Sequence, residues 1–312
     1  MSSANPTFLT ARELASRLDV VAAADALADA FRTGVSVEAP QRSQLPMGDA
    51  TFLTMPAAGV VHGRTLAGAK MVTVRPDNRE FGRPSLHATY VLFGGPAAAP
   101  LAILDGYALT NLRTSAVSAL ATRLLADPGA SVLVIFGAGA MAHAHLEAMC
   151  AVRPIREVIV VGRDAARAEA LVCAARARDL VAHTGTPGDV ALAAIVCTCT
   201  TSATPLFDGS RLAAGAHVNA VGSFQPHTRE LDDATVRRGR VVVEDRAAAL
   251  AEAGDLRIPL ESGVLGRDAV VADLGELCSG HRVRRSREEV TVFKSVGLAM
   301  EDLVVAAAAV AE

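Results

Sequence analysis

The chain has 312 residues, of which 51% are hydrophobic and 20% are charged. This composition is typical of a globular protein with a well-buried core, and the length leaves room for two domains. A formal net charge of −3, without a basic stripe carrying interleaved aromatic residues, argues against a nucleic-acid partner, and no apolar run reaches membrane-spanning length.

The start of the chain carries no pattern of a secretion signal. The N-terminal segment lacks a basic stretch followed by an apolar one; it reads MSSANPTFLTARELASRL. We therefore expect a cytoplasmic protein without a membrane partner. The five cysteines form neither an even disulfide framework nor a zinc spacing, and we therefore predict no metal site.

The first third of the chain predicts helix followed by sheet. Thr10 to Arg32 has helical periodicity, and Glu13 follows Thr10 at the spacing of a capping box. From residue 40 to residue 105 we expect an antiparallel or mixed sheet, and after it a helix over Leu109–Leu125. The strand-like segments within that sheet are Gln41–Met55, Thr65–Val74, Ser85–Phe93 and Pro100–Leu104.

The segment SVLVIFGAGAMAHAH contains the strongest motif. The β-branched and apolar run Val132–Phe136 predicts a strand buried on both faces, and it ends in a glycine turn before a helix that begins at Ala140. Gly137, Gly139 and Ala142 occupy the three small positions of the dinucleotide-binding pattern, in which the helix N-terminus faces a diphosphate. An ordinary glycine turn is the competing interpretation, but a second strand at residues 157–161 completes a βαβ unit and favours the nucleotide site.

Alternating strands and helices continue beyond this motif. The alternation predicts a Rossmann-type, doubly wound parallel sheet, next to a smaller α+β domain. We also expect a terminal helix over Thr291–Ala311, with apolar residues near one face. The other expected strands are Val158–Val161, Ala194–Cys199, His217–Ala220 and Arg240–Glu244.

The end of the second βαβ strand reads Val160-Val161-Gly162-Arg163-Asp164. An acidic residue at this place binds the ribose 2′-hydroxyl of NAD, whereas an arginine accommodates the 2′-phosphate of NADP. Arg163 therefore favours NADPH, with NADH still possible. Asp164 comes one residue late and instead fits the N-cap of the next helix.

Three basic residues precede the nucleotide motif in segments that are otherwise well ordered: Arg42, Lys70 and Arg113. Surface charge is their ordinary interpretation. Lys70 does not fit this surface interpretation, because the segment GAKMV places the lysine among small and apolar residues. A buried lysine requires a partner or a ligand. If the three residues converge, they form a site for a carboxylate.

As a set, the motifs resemble the ornithine cyclodeaminase/μ-crystallin family over nearly the whole chain. The similar segments appear in the family's order and spacing. They include AKMVTVRPDN at Ala69–Asn78, AILDGYALTNLRTSAVSALA at Ala102–Ala121, TCTTSATP at Thr198–Pro205, NAVGSFQPHTREL at Asn219–Leu231 and TVFKSVGLAMEDL at Thr291–Leu303.

The resemblance implies a substrate-binding and dimerisation domain made of residues 1–115 and 292–312, a dinucleotide-binding domain of residues 116–291, and a homodimer. It implies that Arg42, Lys70 and Arg113 hold the substrate carboxylate and that Val296 lines the substrate pocket. The positions that match cofactor contacts are Ser85, Arg113, Ala140, Met141, Thr200, Val221, Gly222, Ser223, Phe224 and Ser295.

One residue departs from the ornithine-using members. They carry an aspartate in the segment after the AVG turn, where this chain has Phe224. A phenyl ring cannot accept a proton or bind an ammonium group by a hydrogen bond, which disfavours ornithine cyclodeamination. Phe224 would instead give the substrate ring an apolar wall, and the Gly-Arg strand end looks like the NADPH-using μ-crystallin branch.

We therefore expect an NAD(P)H-dependent reductase of small cyclic imino acids, such as Δ1-pyrroline-2-carboxylate or Δ1-piperideine-2-carboxylate, with Lys70 as the candidate for proton relay. An alanine dehydrogenase or a reductase of linear imino acids is the first alternative, with His87 or Ser223 supplying polar contacts. A non-catalytic NADPH-binding protein, similar to some μ-crystallin relatives, is the second.

Overall fold

The computed structural model describes residues 5–311, and all of their side chains except those of Pro76 and Arg79. Two compact units divide the chain. The first runs up to Arg113 and resumes at Leu298, and the second comprises Thr114–Gly297. Within residues 5–311, no helix combines the length and apolar character needed to cross a membrane.

The first unit contains a seven-stranded sheet with the order β1-β7-β6-β5-β4-β2, and β3 pairs with β4. All pairs are antiparallel except β1 with β7. An antiparallel or mixed sheet was expected over residues 40–105, and the structure confirms it: the strands in that range pair antiparallel, and β1 adds the parallel pair. The strands are β1 (Thr7–Leu9), β2 (Val37–Glu38), β3 (Ser43–Met47), β4 (Ala50–Val61), β5 (Arg64–Val74), β6 (Leu86–Gly94) and β7 (Ala99–Asp105).

Helices cover one face of this sheet. The predicted helical segment divides into two helices at Asp19, which accepts a hydrogen bond from Ala22 and so begins the second. The predicted capping box of Thr10 and Glu13 is present. The helices of this unit are α1 (Ala11–Arg17), α2 (Val20–Thr33), the start of α3 (Gly106–Leu125) and the C-terminal helix (Ala299–Ala309), and a 3-10 helix spans Pro76–Phe81.

The second unit contains an eight-stranded sheet with the order β10-β9-β8-β11-β12-β15-β13-β14, and every pair is parallel. The predicted doubly wound sheet is thereby confirmed. Chain order reverses between β8 and β11, where such sheets bind ligands. The strands are β8 (Val132–Phe136), β9 (Glu157–Val161), β10 (Val181–Thr184), β11 (Ile195–Thr198), β12 (His217–Ala220), β13 (Arg240–Val243), β14 (Val270–Asp273) and β15 (Thr291–Lys294).

Helices connect these parallel strands, as crossover connections require. They are α4 (Ala140–Val152), α5 (Ala165–Arg176), α6 (Asp233–Arg238), α7 (Arg246–Glu252), α8 (Gly254–Glu261) and α9 (Leu274–Cys278), with 3-10 helices at Pro187–Ala191 and Gly209–Arg211. The end of α3 precedes β8 in the same unit.

The prediction of one helix over Thr291–Ala311 is wrong for its first part. Thr291–Lys294 is a strand, buried on both faces between β12 and β13, and the helix begins at Ala299. The β-branched and aromatic residues of this segment favour a strand. Apolar residues recur about every three positions from this segment into the helix, and the same spacing is typical of the buried face of a helix. The boundary between the two units therefore falls after Gly297, not before residue 292.

Candidate active site

Lys70 lies in the middle of β5 with only 2% of its surface exposed. Alternate residues of this strand face the buried side of the sheet, and Lys70 shares that side with Tyr90, its neighbour across the β5–β6 pair. Gly68 makes room for the tyrosine, since a Cβ at Gly68 would collide with the Tyr90 hydroxyl. The sequence-based prediction of a buried lysine is confirmed.

Two acidic residues of the C-terminal helix pair with the predicted cations. Asp302 Oδ2 lies 2.9 Å from Lys70 Nζ, and Lys70 also donates to Asp302 Oδ1 at 3.0 Å. Arg113 Nη1 donates to Glu301 Oε2 at 2.9 Å, and Arg113 Nε lies 3.3 Å from Asp302 Oδ1. Both carboxylates are 0% exposed, so each buried cation has an anionic partner.

The pKa of Lys70 reflects this environment. Burial lowers it to about 8, the Asp302 carboxylate opposes that change, and the positive charges of Arg113 and Arg42 lower the pKa further. Arg42 is half-buried just before β3, close enough to influence Lys70. The structure therefore brings the three predicted basic residues together.

The cluster brings together three cations (Arg42, Lys70 and Arg113) and two carboxylates (Glu301 and Asp302). In proteins a guanidinium binds a carboxylate as a fork and an ammonium binds it as a point charge. The arrangement suits one small anion such as a carboxylate.

His87 and Ser85 lie elsewhere in the first unit. His87 pairs with Thr73, which puts its side chain on the opposite face of the sheet from Lys70. There it lines an open cavity of about 740 Å³. His87 therefore cannot supply the polar substrate contact considered for a linear imino acid. Ser85 immediately precedes β6, where its carbonyl accepts a hydrogen bond from the Arg75 amide.

The glycine turn of the second unit follows β8 and fits a dinucleotide. Gly137 has φ = 106°, and a Cβ there would lie 2.6 Å from the Cys199 carbonyl oxygen, so only glycine is accommodated. Gly139 is the N-cap of α4 without a side-chain hydrogen bond, which leaves backbone amides at the helix start for a phosphate. Ala142 is fully buried, as close packing of helix on strand requires. Ala140 and Met141 form the first turn of α4.

Arg163 lies just beyond β9 and is exposed. The end of β9 adjoins the glycine turn, because the Gly137 amide donates to the Val161 carbonyl at 2.9 Å. Asp164 accepts a hydrogen bond from the Arg167 amide as the N-cap of α5, which confirms its predicted structural role. Arg163 is thus an exposed cationic side chain at this strand end.

The loops after β11 and β12 carry the remaining predicted positions. Thr200 follows β11, and residues 221–224 follow β12. The Ser223 hydroxyl donates to the Thr228 carbonyl at 2.7 Å and is buried. The Phe224 side chain is half-buried against the apolar core. Val221 and Gly222 connect β12 to these two residues.

Ser295 and Val296 follow β15 and are held by Glu244. The Ser295 hydroxyl donates to Glu244 Oε1 at 2.5 Å, and the amides of Val296 and Gly297 donate to Oε2 at 2.9 Å. Val296 is 6% exposed and packs in the core of the second unit. Any contact of Ser295 with a cofactor would therefore use its oxygen lone pairs.

The sequence-based reasoning missed several charged residues that organise these sites. The acidic pair Glu301 and Asp302 stands out in an otherwise apolar helix, LAMEDLVVAAAAV, and a buried acid requires a partner. Lys294 in VFKSV repeats the signal that identified Lys70, and the chain contains these two lysines and no others. Glu230 lies in a loop, Asp255 in the first turn of α8 and Glu244 directly after β13. At these places the local pattern does not distinguish them from surface acids.

Comparison with known proteins agrees with this geometry. Residues 4–312 match the model of the ornithine cyclodeaminase/mu-crystallin family. Delta(1)-pyrroline-2-carboxylate reductase of Bacillus thuringiensis subsp. konkukian is 40% identical over 274 residues, which are 86% of this chain and 83% of that protein.

Two solved structures are similar over almost the entire chain. Thermococcus litoralis Delta(1)-pyrroline-2-carboxylate reductase in complex with NADH and L-proline superimposes with a TM-score of 0.91, at 29% identity, covering 97% of this chain and 96% of that one. An archaeal alanine dehydrogenase dimer with bound NAD gives a TM-score of 0.88 at 30% identity, covering 98% and 95%. The chain belongs to the ornithine cyclodeaminase/mu-crystallin family.

Proposed function

We propose that this protein is an NAD(P)H-dependent oxidoreductase that reduces the C=N bond of small cyclic imino acids, of which Δ1-pyrroline-2-carboxylate is the best candidate. The observation that carries the proposal is the convergence of Arg42, Lys70 and Arg113 in one cluster, in which Lys70 and Arg113 are buried. Relatives named Delta(1)-pyrroline-2-carboxylate reductase support the substrate class.

The cluster would bind the substrate by its carboxylate. The guanidinium of Arg113 and the ammonium of Lys70 would bind the carboxylate together with Arg42, which is partly exposed. Because Glu301 and Asp302 already restrain two of the three cations, little side-chain entropy remains to be lost on binding. Catalysis benefits from such fixed charges.

A bound NAD(P)H would supply the hydride for the imine carbon. If the imine enters protonated, the π electrons of the C=N bond would move to nitrogen, and the product would be a saturated ring that keeps the N–H proton. No strong acid is then needed at that step, which is compatible with Phe224 in place of aspartate. Lys70 is the residue that we assign to proton relay, since its pKa of about 8 allows both protonation states near neutral pH.

The choice between dinucleotides would depend on Arg163. Its exposed guanidinium lies just beyond β9, where an arginine would bind a 2′-phosphate, and Asp164 is occupied as a helix cap. We therefore propose that NADPH is preferred and that NADH is also used. In the same unit, Phe224 and Val296 would give the substrate ring apolar contacts.

The protein is proposed to act as a homodimer through the open face of the sheet in the first unit. Phe8 and Met71, at 61% and 37% exposure, line the cavity on that face together with Phe52, and Phe81 of the same unit is 67% exposed. Apolar side chains this exposed and this close together are typical of a protein interface. We propose a second copy of this chain as the partner on this face, because an interface that is complementary to itself forms a symmetric dimer.

The alanine dehydrogenase alternative draws support from the structural similarity to an archaeal alanine dehydrogenase. The experiment that separates the two is a comparison of purified protein on cyclic imino acids and on pyruvate with ammonia or methylamine, each with NADPH and NADH. Turnover of cyclic imines alone supports the proposal, and turnover of the keto acid with amine alone replaces it. Dinucleotide binding without turnover would support the non-catalytic alternative.

A further inference from the structure

Among the described residues of the second unit, three charged side chains that the proposed reaction does not use are fully buried. Glu230, Asp255 and Lys294 are each 0% exposed. We refer to these three residues as the Glu230 network. Burying charged groups costs desolvation free energy. The hydrogen bonds that offset this cost indicate which segments of the chain these side chains hold in place.

The Glu230 carboxylate joins two loops. Its Oε1 accepts hydrogen bonds from the Thr200 amide at 2.8 Å and the Thr200 hydroxyl at 2.6 Å. Its Oε2 accepts from the Thr198 hydroxyl and from the Gly222 amide, both at 2.7 Å. Thr198 ends β11 and Gly222 follows β12, so a single side chain connects the carboxyl ends of two adjacent parallel strands.

The first of these loops packs directly against the glycine turn. At Gly137, a Cβ would lie 2.6 Å from the Cys199 carbonyl oxygen and 3.4 Å from Thr200 Cγ2. At Gly222, a Cβ would collide with the Thr200 carbonyl and with Glu230. The contacts run from Glu230 through Thr200 to Gly137, at the point where the strand order reverses and a dinucleotide binds.

Asp255 and Lys294 hold Glu230 and its segment from the other side. Asp255 Oδ1 accepts from the amides of Glu230 and Leu231 at 2.7 and 2.8 Å. Lys294 Nζ lies 2.9 Å from Asp255 Oδ2 and donates to the Ser223 carbonyl at 2.5 Å. Burial raises the pKa of Glu230, and the nearby Lys294 charge opposes the shift.

We infer that Glu230 is a positioning residue for the dinucleotide, which it serves by fixing the Thr200 and Gly222 loops against the glycine turn. The inference takes the bound dinucleotide from the proposed function and adds a residue that does not itself touch the cofactor. Four donors converge on Glu230, and its two oxygens supply acceptors for all of them. A glutamine of the same size has one oxygen and one donating NH2 group, so it cannot satisfy both loops.

The test is dinucleotide affinity in the absence of substrate. NADPH fluorescence is titrated with wild type, Glu230→Gln and the control Glu147→Gln, which removes an exposed carboxylate from α4 of the same unit. We expect the dissociation constant of Glu230→Gln to rise about 10- to 100-fold, the effect of losing a hydrogen bond to a charged group. The control should bind like wild type.

A merely structural role gives a different result. It would lower the melting temperature and the fraction of binding-competent protein, yet leave the dissociation constant of that fraction unchanged, and this outcome overturns the inference. If Glu230→Gln does not fold, the same titration is made with Thr198→Val, because this variant removes one of the four donors to Glu230. A dissociation constant of Thr198→Val equal to that of wild type would then refute the inference. Absence of NADPH and NADH binding by wild type overturns the proposed function itself.

Discussion

The Lys70 ammonium lies 2.9 Å from the Asp302 carboxylate, and neither side chain has more than 2% of its surface exposed. The two residues are far apart in the chain, on β5 and on the C-terminal helix, so the pair fixes the end of the chain to the middle of the sheet. It also sets the charge available to a ligand. Removing Asp302 would leave the buried Lys70 ammonium without the carboxylate that compensates its charge.

Asp302→Asn should move the alkaline limit of activity to lower pH. In wild type, we expect kcat/KM to fall as the pH rises through about 8, because Lys70 loses its charge there. Asp302 favours the ammonium form, so its loss lowers the Lys70 pKa further. The measurement is the pH profile of kcat/KM.

Asp29→Asn, an exposed substitution on α2, is the matched control and should keep the wild-type profile. An Asp302→Asn profile with the wild-type alkaline limit would show that the titration belongs to another group. Circular dichroism at each pH verifies that the variant remains folded over the range.

Lys70→Met tests the chemical role of the lysine. A methionine keeps the length and removes the charge, so kcat/KM should fall at least about 100-fold if a proton is relayed by this residue. Unchanged turnover at saturating substrate would exclude a chemical role and leave Lys70 with binding alone. Arg64→Met, at the exposed start of the same strand, should retain full activity.

The sequence predicts those residues of the site that stand out from their local surroundings, and it does not predict those that are defined only by tertiary contacts. Lys70 was recognisable because a charge stood among small and apolar residues within one strand. Its partner Asp302 could not be assigned, because the pairing of β5 with the C-terminal helix is a tertiary contact between residues distant in sequence. The parallel sheet was predictable from alternating periodicity, whereas β15 was mistaken for helix because short apolar runs fit both periods.

Arg163→Ala should change the choice of cofactor. If the guanidinium binds the 2′-phosphate, the KM for NADPH rises about 10- to 100-fold on its removal, and the KM for NADH stays near the wild-type value. Arg167→Ala, which removes a neighbouring exposed arginine on α5, should leave both values unchanged. Equal effects of Arg163→Ala on both dinucleotides would contradict the assignment of Arg163.

Phe224→Asp should weaken binding of a cyclic imino acid. The half-buried ring packs on apolar residues, and a carboxylate there would lose those contacts and repel the substrate anion. We expect KM to rise about 10- to 200-fold, and less than about 10-fold for Phe224→Leu, which preserves an apolar surface. If Phe224→Asp leaves KM unaltered, the substrate ring does not contact this residue.

The open face of the sheet predicts the oligomeric state. Light scattering should give wild type twice the mass of one chain, and Met71→Glu combined with Phe8→Asp should give the mass of one chain, because both residues line the exposed apolar cavity. The control, Val181→Glu, changes an exposed apolar residue of the second unit and should remain dimeric. A monomeric wild type would refute the proposed interface.

The most direct test of the proposed reaction follows the hydride. Purified protein is incubated with Δ1-pyrroline-2-carboxylate and with NADPH deuterated at nicotinamide carbon 4, using each of the two stereochemical forms in turn. The proposal predicts proline with one deuterium at the former imine carbon from one form and unlabelled proline from the other. No proline, or proline without deuterium from either form, would contradict hydride transfer to the imine.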